Sequence, residues 1–167
     1  PAPPDAAAYG CIAAMSAGLD KCCADTEHTW GTRDDPTLQI EHLEAFLKEE
    51  EANSLWEAIA QHIPFFRVRY VSRRFGKACT TPCWTNAFGG PDATYEHFQP
   101  IPPCLAGIKK RLEQHLHTPF NVVLVRLYAN GSDEIAWHTD GRQFLGTHTC
   151  VASLSLGAQR KFQMRRV

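Results

Sequence analysis

The chain has 167 residues, 44% of them hydrophobic and 10% aromatic, with a formal net charge of −1. That length suits one domain with a sizeable core, and the near-zero charge excludes a partner held by bulk electrostatics, so any nucleic-acid surface must be a local patch. The longest apolar runs, such as residues 122–125, are far too short to span a membrane.

The chain opens on Pro1, without a basic-then-apolar leader, and reads as a processed, trimmed or partial product. Residues 1–36 are rich in Ala, Pro, Gly and Cys and show no periodicity, so they read as a flexible lead-in. Cys22-Cys23 with His28 is a weak zinc pattern. The seven cysteines are irregularly spaced and include no C-x-x-C, which favours reduced thiols over a disulfide framework.

From Leu38 the pattern sharpens. Ala52, Leu55, Trp56, Ile59, Ala60 and Ile63 recur at helical spacing behind Glu49, Glu50 and Glu51, and Pro64 ends the run. Residues 66–71 alternate apolar side chains with Arg67 and Arg69, as a half-buried strand would. Residues 72–104 read as loops with short strands and carry Trp84 and Phe88. Pro102-Pro103 leads into a second helix with Leu105, Ile108, Leu112 and Leu116 on one stripe. Residues 120–128 are nearly all β-formers and end at the turn Ala129-Asn130-Gly131-Ser132. Residues 135–138, 150–156 and 160–165 read as further strands. Helices followed by strands suggest an α+β fold on an antiparallel sandwich or barrel.

His138 and Asp140 stand two apart at the expected end of a strand. Strand residues i and i+2 share a face, so both side chains can reach one ion, whereas the competing pair His42 and Glu44 lies at the edge of a helical region, where i and i+2 diverge. An imidazole and a carboxylate suit Fe(II), Mn or Zn, and two His with one carboxylate mark the non-haem Fe(II) oxygenases. Spacing alone leaves a surface loop as the plainer reading.

Five blocks, in order, carry a resemblance: FLKEEEANSLWEAIAQHIPFFRVRY, TPCWTNAFGG, PIPPCLAGI, FNVVLVRLYANGSDEIAWHTD and VASLSLGAQRKF. From about Leu43 to Val167 the chain resembles the AlkB-type alkylation-repair dioxygenases, which use Fe(II), 2-oxoglutarate and O2. The resemblance implies an α+β double-stranded β-helix, or jelly-roll, with N-terminal helices. It makes residues 1–36 a lead-in and residues 37–167 an incomplete AlkB-like domain. His138 and Asp140 would be two of three iron ligands, Tyr128 and Arg126 would meet 2-oxoglutarate, and Trp84, Phe88, Arg142 and Arg160 would shape the substrate side. Arg67, Arg69, Arg73, Arg74 and Lys77 could add a phosphate-binding patch, although a charge run is more often a solvated face.

The implied reaction oxidises an N-alkyl carbon of a nucleic-acid base while 2-oxoglutarate loses CO2 to become succinate; the alkyl group leaves as an aldehyde. Its substrate would be alkylated DNA or RNA, and the protein a monomer in the nucleus or cytoplasm with no membrane association. Three positions depart from the family pattern: Arg126 replaces an Asn, Cys83 an Arg, and Arg142 an acid that reads the base. The family's second iron His and its 2-oxoglutarate-binding Arg would fall beyond Val167, and His148 is poorly placed to substitute, so the chain as given is expected to be inactive. Two alternatives stay open: a 2-oxoglutarate oxygenase acting on RNA or protein, and a non-catalytic fragment.

Overall fold

A computed structural model describes residues 40–43, 45–72, 76–89, 98–138 and 150–163 in full, and 11–18 and 149 as strand backbone. Nine elements follow in order: β1 (Cys11–Gly18), α1 (Glu49–His62), β2 (Arg69–Val71), β3 (Ala78–Thr80), β4 (Trp84–Gly89), β5 (Gln99–Pro100), α2 (Pro103–Leu116), β6 (Val122–Leu127) and β7 (Thr149–Leu156). Cys22, Cys23, His28, Arg73, Arg74, Asp140, Arg142 and His148 lie outside the described residues.

Both helices sit where the apolar spacing puts them. The Lys48 N–H at the start of α1 donates to Glu51 Oε2 at 3.0 Å, satisfying one of the donors a helix start leaves open. That bond, with a second from Arg111, holds the Glu51 carboxyl below its ordinary pKa. Proline opens α2, and His117 closes it in the left-handed region at φ 49°.

Among the described residues the main sheet has five strands in the order β5-β4-β6-β1-β7, with β4 and β5 parallel and the other neighbours antiparallel, and β2 pairs with β3 in a separate two-stranded sheet. On β6 the side chains of Val123 and Val125 point into the core, and directly opposite residues of antiparallel strands share a face. Phe88 and Asn86 pair with Val123 and Val125 and so share that face. The helices cover it: Ile59, Ile63, Leu105, Ile108 and Leu112 join Phe88, Val123, Val125, Ala152, Leu154 and Leu156 in one cluster. Full burial of such a side chain contributes about 1.5–3 kcal/mol, and Leu105, Val123 and Val125 are wholly buried. The opposite face carries Arg126, Thr85 and the exposed Ser153 and Ser155.

Four expectations are corrected. The lead-in is not without regular structure: residues 11–18 form β1, antiparallel to β6 on one side and β7 on the other. Ladder hydrogen bonds on both edges supply what its sequence periodicity does not show. Residues 66–71 are not a half-buried strand: only β2 is regular, its three residues are exposed, and Phe66 makes a lone bridge to Thr85. Among the described residues β2 pairs with β3 alone, in a ribbon separate from the main sheet. Residues 135–138 and 160–163 belong to none of the described strands. Each leaves a turn that carries it off the ladder, at Asn130–Asp133 and at Gly157, whose φ of 79° favours glycine.

Candidate active site

The open face of β6 positions the candidate cosubstrate residues. Arg126 and Tyr128 are two apart along the chain, so both project to the side away from the helices. Tyr128 is 5% exposed, and the Arg160 guanidinium lies over its ring, 4.5 Å from the centroid. Burial, then the neighbouring Cys83, pushes the Tyr128 phenol up from its ordinary pKa, against the nearby Arg126 and Arg160 charges. The phenol therefore stays neutral at physiological pH and can donate its O–H to a carboxylate.

Arg160 is placed by two backbone carbonyls. Its Nη1 donates to Asn130 O at 3.2 Å and its Nη2 to Asp133 O. The turn itself rests on Asn130, whose Oδ1 accepts from Ser132 N–H at 2.8 Å. Asp133, 3% exposed, receives Arg67 Nη2 on Oδ1 at 2.5 Å and the Ala129 N–H on Oδ2 at 2.7 Å. Arg67 also lies over Trp84, 5.3 Å from the ring centroid, while its buried Nε has no hydrogen-bond partner. Arg67 is thus engaged with Asp133 and Trp84, its side chain 32% exposed; Arg69 and Lys77 are exposed.

Cys83 stands where the resemblance leads one to expect an Arg. It is buried, and desolvation raises its thiol pKa, with Asp133 adding to the shift and Arg126, Arg67 and Arg160 opposing it. A buried, protonated thiol is a poor nucleophile. Iodoacetamide labelling of the native protein at pH 8, read by mass spectrometry, is expected to modify the partly exposed Cys79 well before Cys83. Equal rates would show that the surroundings of Cys83 open readily.

The expected substrate residues divide. Trp84 is half-buried at the end of β4, under Arg67. Phe88 is 3% exposed and belongs to the helix-packed core, on the face opposite Arg126, so its ring is not open to a base. Phe162, by contrast, is 71% exposed.

His138 is exposed, ten residues beyond Tyr128, in the irregular segment that leaves the Asn130 turn. Its Nδ1 lies 2.8 Å from Ala136 O. A carbonyl oxygen only accepts, so Nδ1 donates in that bond; in the neutral imidazole Nε2 then holds the lone pair, the tautomer that a metal ligand needs. Among the described residues no three His, Cys, Asp or Glu side chains are grouped to hold a metal. His42, the weaker candidate, is exposed in an irregular segment before α1. Asp133 and the inward role of Arg67 were not foreseen. An Asp behind an Asn-Gly turn carries no sequence signal of burial.

A helix-backed, mainly antiparallel sheet thus carries a phenol and a guanidinium on its open side, with an imidazole beyond its edge. The model of the 2OG-Fe(II) oxygenase superfamily matches residues 39–167, and the chain belongs to that family, which implies a jelly-roll fold and the use of Fe(II), 2-oxoglutarate and O2. Within it the chain is AlkB-like. It is 32% identical over 126 residues to the human alpha-ketoglutarate-dependent dioxygenase alkB homolog 3, covering 72% of this chain and 43% of the relative. It is 27% identical over 138 residues to the DNA oxidative demethylase ALKBH2 of Arabidopsis thaliana, covering 75% and 42%. The bovine ALKBH2 is 28% identical over 144 residues, covering 82% and 51%. The chain thus spans about half the length of the curated relatives it matches. No helix among the described residues is long and apolar enough to cross a membrane.

Proposed function

We propose that the protein oxidatively dealkylates N-alkylated nucleic-acid bases, with Fe(II) as cofactor and 2-oxoglutarate and O2 as cosubstrates. The observation that carries this reading is Tyr128, buried under Arg160 and beside Arg126, ten residues before an imidazole whose tautomer suits a metal. Family membership and the names of the relatives support it. In this reading the described sheet is one wall of a double-stranded β-helix. The protein is a monomer working in the nucleus or cytoplasm.

His138 and Asp140 would hold the iron, which when bound supplies the oxidising chemistry that couples succinate and CO2 formation to hydroxylation of the alkyl carbon. The chain's own residues bind and orient. Tyr128 donates its O–H to a carboxylate of 2-oxoglutarate, and Arg126 supplies a positive charge next to it; a charge-assisted bond of this kind contributes about 1.5–3 kcal/mol. Arg160 keeps the Tyr128 ring in place. Trp84 and Phe88, four apart on β4, share the face that packs on the helices, Trp84 half-buried at the end of the strand and Phe88 in the core. Arg142, in place of an acid, would repel a cationic base and favour neutral ones.

The test is succinate and formaldehyde release by the intact protein with Fe(II), ascorbate, 2-oxoglutarate and a panel of N-methylated single-stranded DNA and RNA oligonucleotides. Release that depends on methylated oligonucleotide is expected. Release that depends instead on a methylated peptide would assign the protein to the other reading, an oxygenase of protein substrates.

A further inference from the structure

We propose that Asp133 is a positioning residue of this site: its buried carboxylate fixes the segment between Tyr128 and His138 and joins it to the Arg67–Trp84 side of the molecule. The proposal rests on the functional reading above and goes beyond it, because Asp133 is neither a metal ligand nor a cosubstrate contact in that reading.

The argument starts from cost. A carboxylate taken out of water must be paired and hydrogen-bonded, or it destabilises the fold. Asp133 is 3% exposed, at the end of a turn that Asn130 and Gly131 could make alone. Every polar group of the residue is nonetheless used. Oδ1 meets Arg67, Oδ2 meets the Ala129 N–H, the backbone N–H donates to Asn130 O at 3.2 Å, and the backbone carbonyl accepts from Arg160. Arg67 lies 66 positions away in the chain, so the bond is a tertiary tie and not part of the turn.

The two guanidinium groups each cover an aromatic ring, Arg67 over Trp84 and Arg160 over Tyr128. One residue therefore fixes both rings. On the cosubstrate side it closes the turn directly behind Tyr128 and sets where the chain toward His138 departs. On the substrate side it is the anchor of Arg67, whose Nε has no partner and whose described polar contact is Asp133. Without the carboxylate, Arg67 keeps only its ring contact, and the departure direction of residues 134–138 loses its tie to β4. Groups that orient a metal-bearing segment from outside the ligand shell typically change metal affinity 10–100-fold.

The experiment compares wild type, Asp133→Asn, Arg67→Gln and the core variant Leu112→Ala in the intact protein. Leu112→Ala is a control for loss of stability, because Leu112 packs in the helix-covered core away from the network. Two readouts are taken under conditions where urea titration shows all four folded: Co(II) absorbance as a probe of the metal site, and hydrogen exchange of amides 134–138. Asp133→Asn and Arg67→Gln are expected to weaken Co(II) binding about tenfold or more and to speed exchange of those amides. Leu112→Ala is expected to change neither. Unchanged exchange in Asp133→Asn, or an equal change in Leu112→Ala, would overturn the proposal. If wild type binds no Co(II) in a His138-dependent way, the metal reading fails, and amide exchange still decides the positioning role.

Discussion

Replacing His138 by alanine is expected to lower affinity for Fe(II), or for Mn(II) as its stable substitute, by more than about 100-fold and to remove substrate-dependent succinate release. Even a group one bond removed from a metal is worth 10–100-fold, and a direct ligand is worth more. The fold should not pay for the change. His138 is exposed. Exposed substitutions of this kind stay within about 0.5 kcal/mol. Equilibrium dialysis with Mn(II) and a urea titration would separate the two effects. Undiminished Mn(II) binding with an unchanged urea midpoint would take His138 out of the metal site.

Placing a proline at Ala14 is expected to destabilise the protein strongly, because Ala14 sits mid-strand in β1, paired with Leu124 on one side and Ser153 on the other. A central strand cannot give up an N–H without orphaning an acceptor in its neighbour, at about 1–3 kcal/mol, and the pyrrolidine ring adds a steric penalty. The effect would spread. Among the described residues β7 joins the sheet through β1 alone, yet it supplies Ala152, Leu154 and Leu156 to the core. A fall in the urea midpoint for Ala14→Pro, absent in Ala14→Val, is the expected result. An unchanged midpoint in both variants would mean that residues 11–18 lie outside the cooperative unit, as the sequence alone suggests.

Much of the frame was legible. The sequence by itself determined α1 and α2, because four or more apolar residues at helical spacing leave one stripe to bury and the flanking prolines and acids mark the ends. It determined β6 and β7 through runs of β-formers. It also placed the chain among the iron and 2-oxoglutarate oxygenases, since the blocks that carry the resemblance are short, local and ordered.

Only the tertiary structure decided the rest, because each remaining feature depends on partners distant in the chain. Residues 11–18 become a strand only between β6 and β7, which begin more than a hundred residues later. Phe66 and Val68 alternate like a buried strand but, among the described residues, meet no covering layer and remain 49% and 40% exposed. Phe88 faces the helices and not a ligand, since the β4–β6 register pairs it with Val123. Asp133 is buried because Arg67 and Arg160, 66 and 27 positions away, converge on it. Local spacing can say which way a side chain points from its own backbone; it cannot say what stands opposite, and opposition is what separates a core ring from a binding ring and a solvated acid from an anchor.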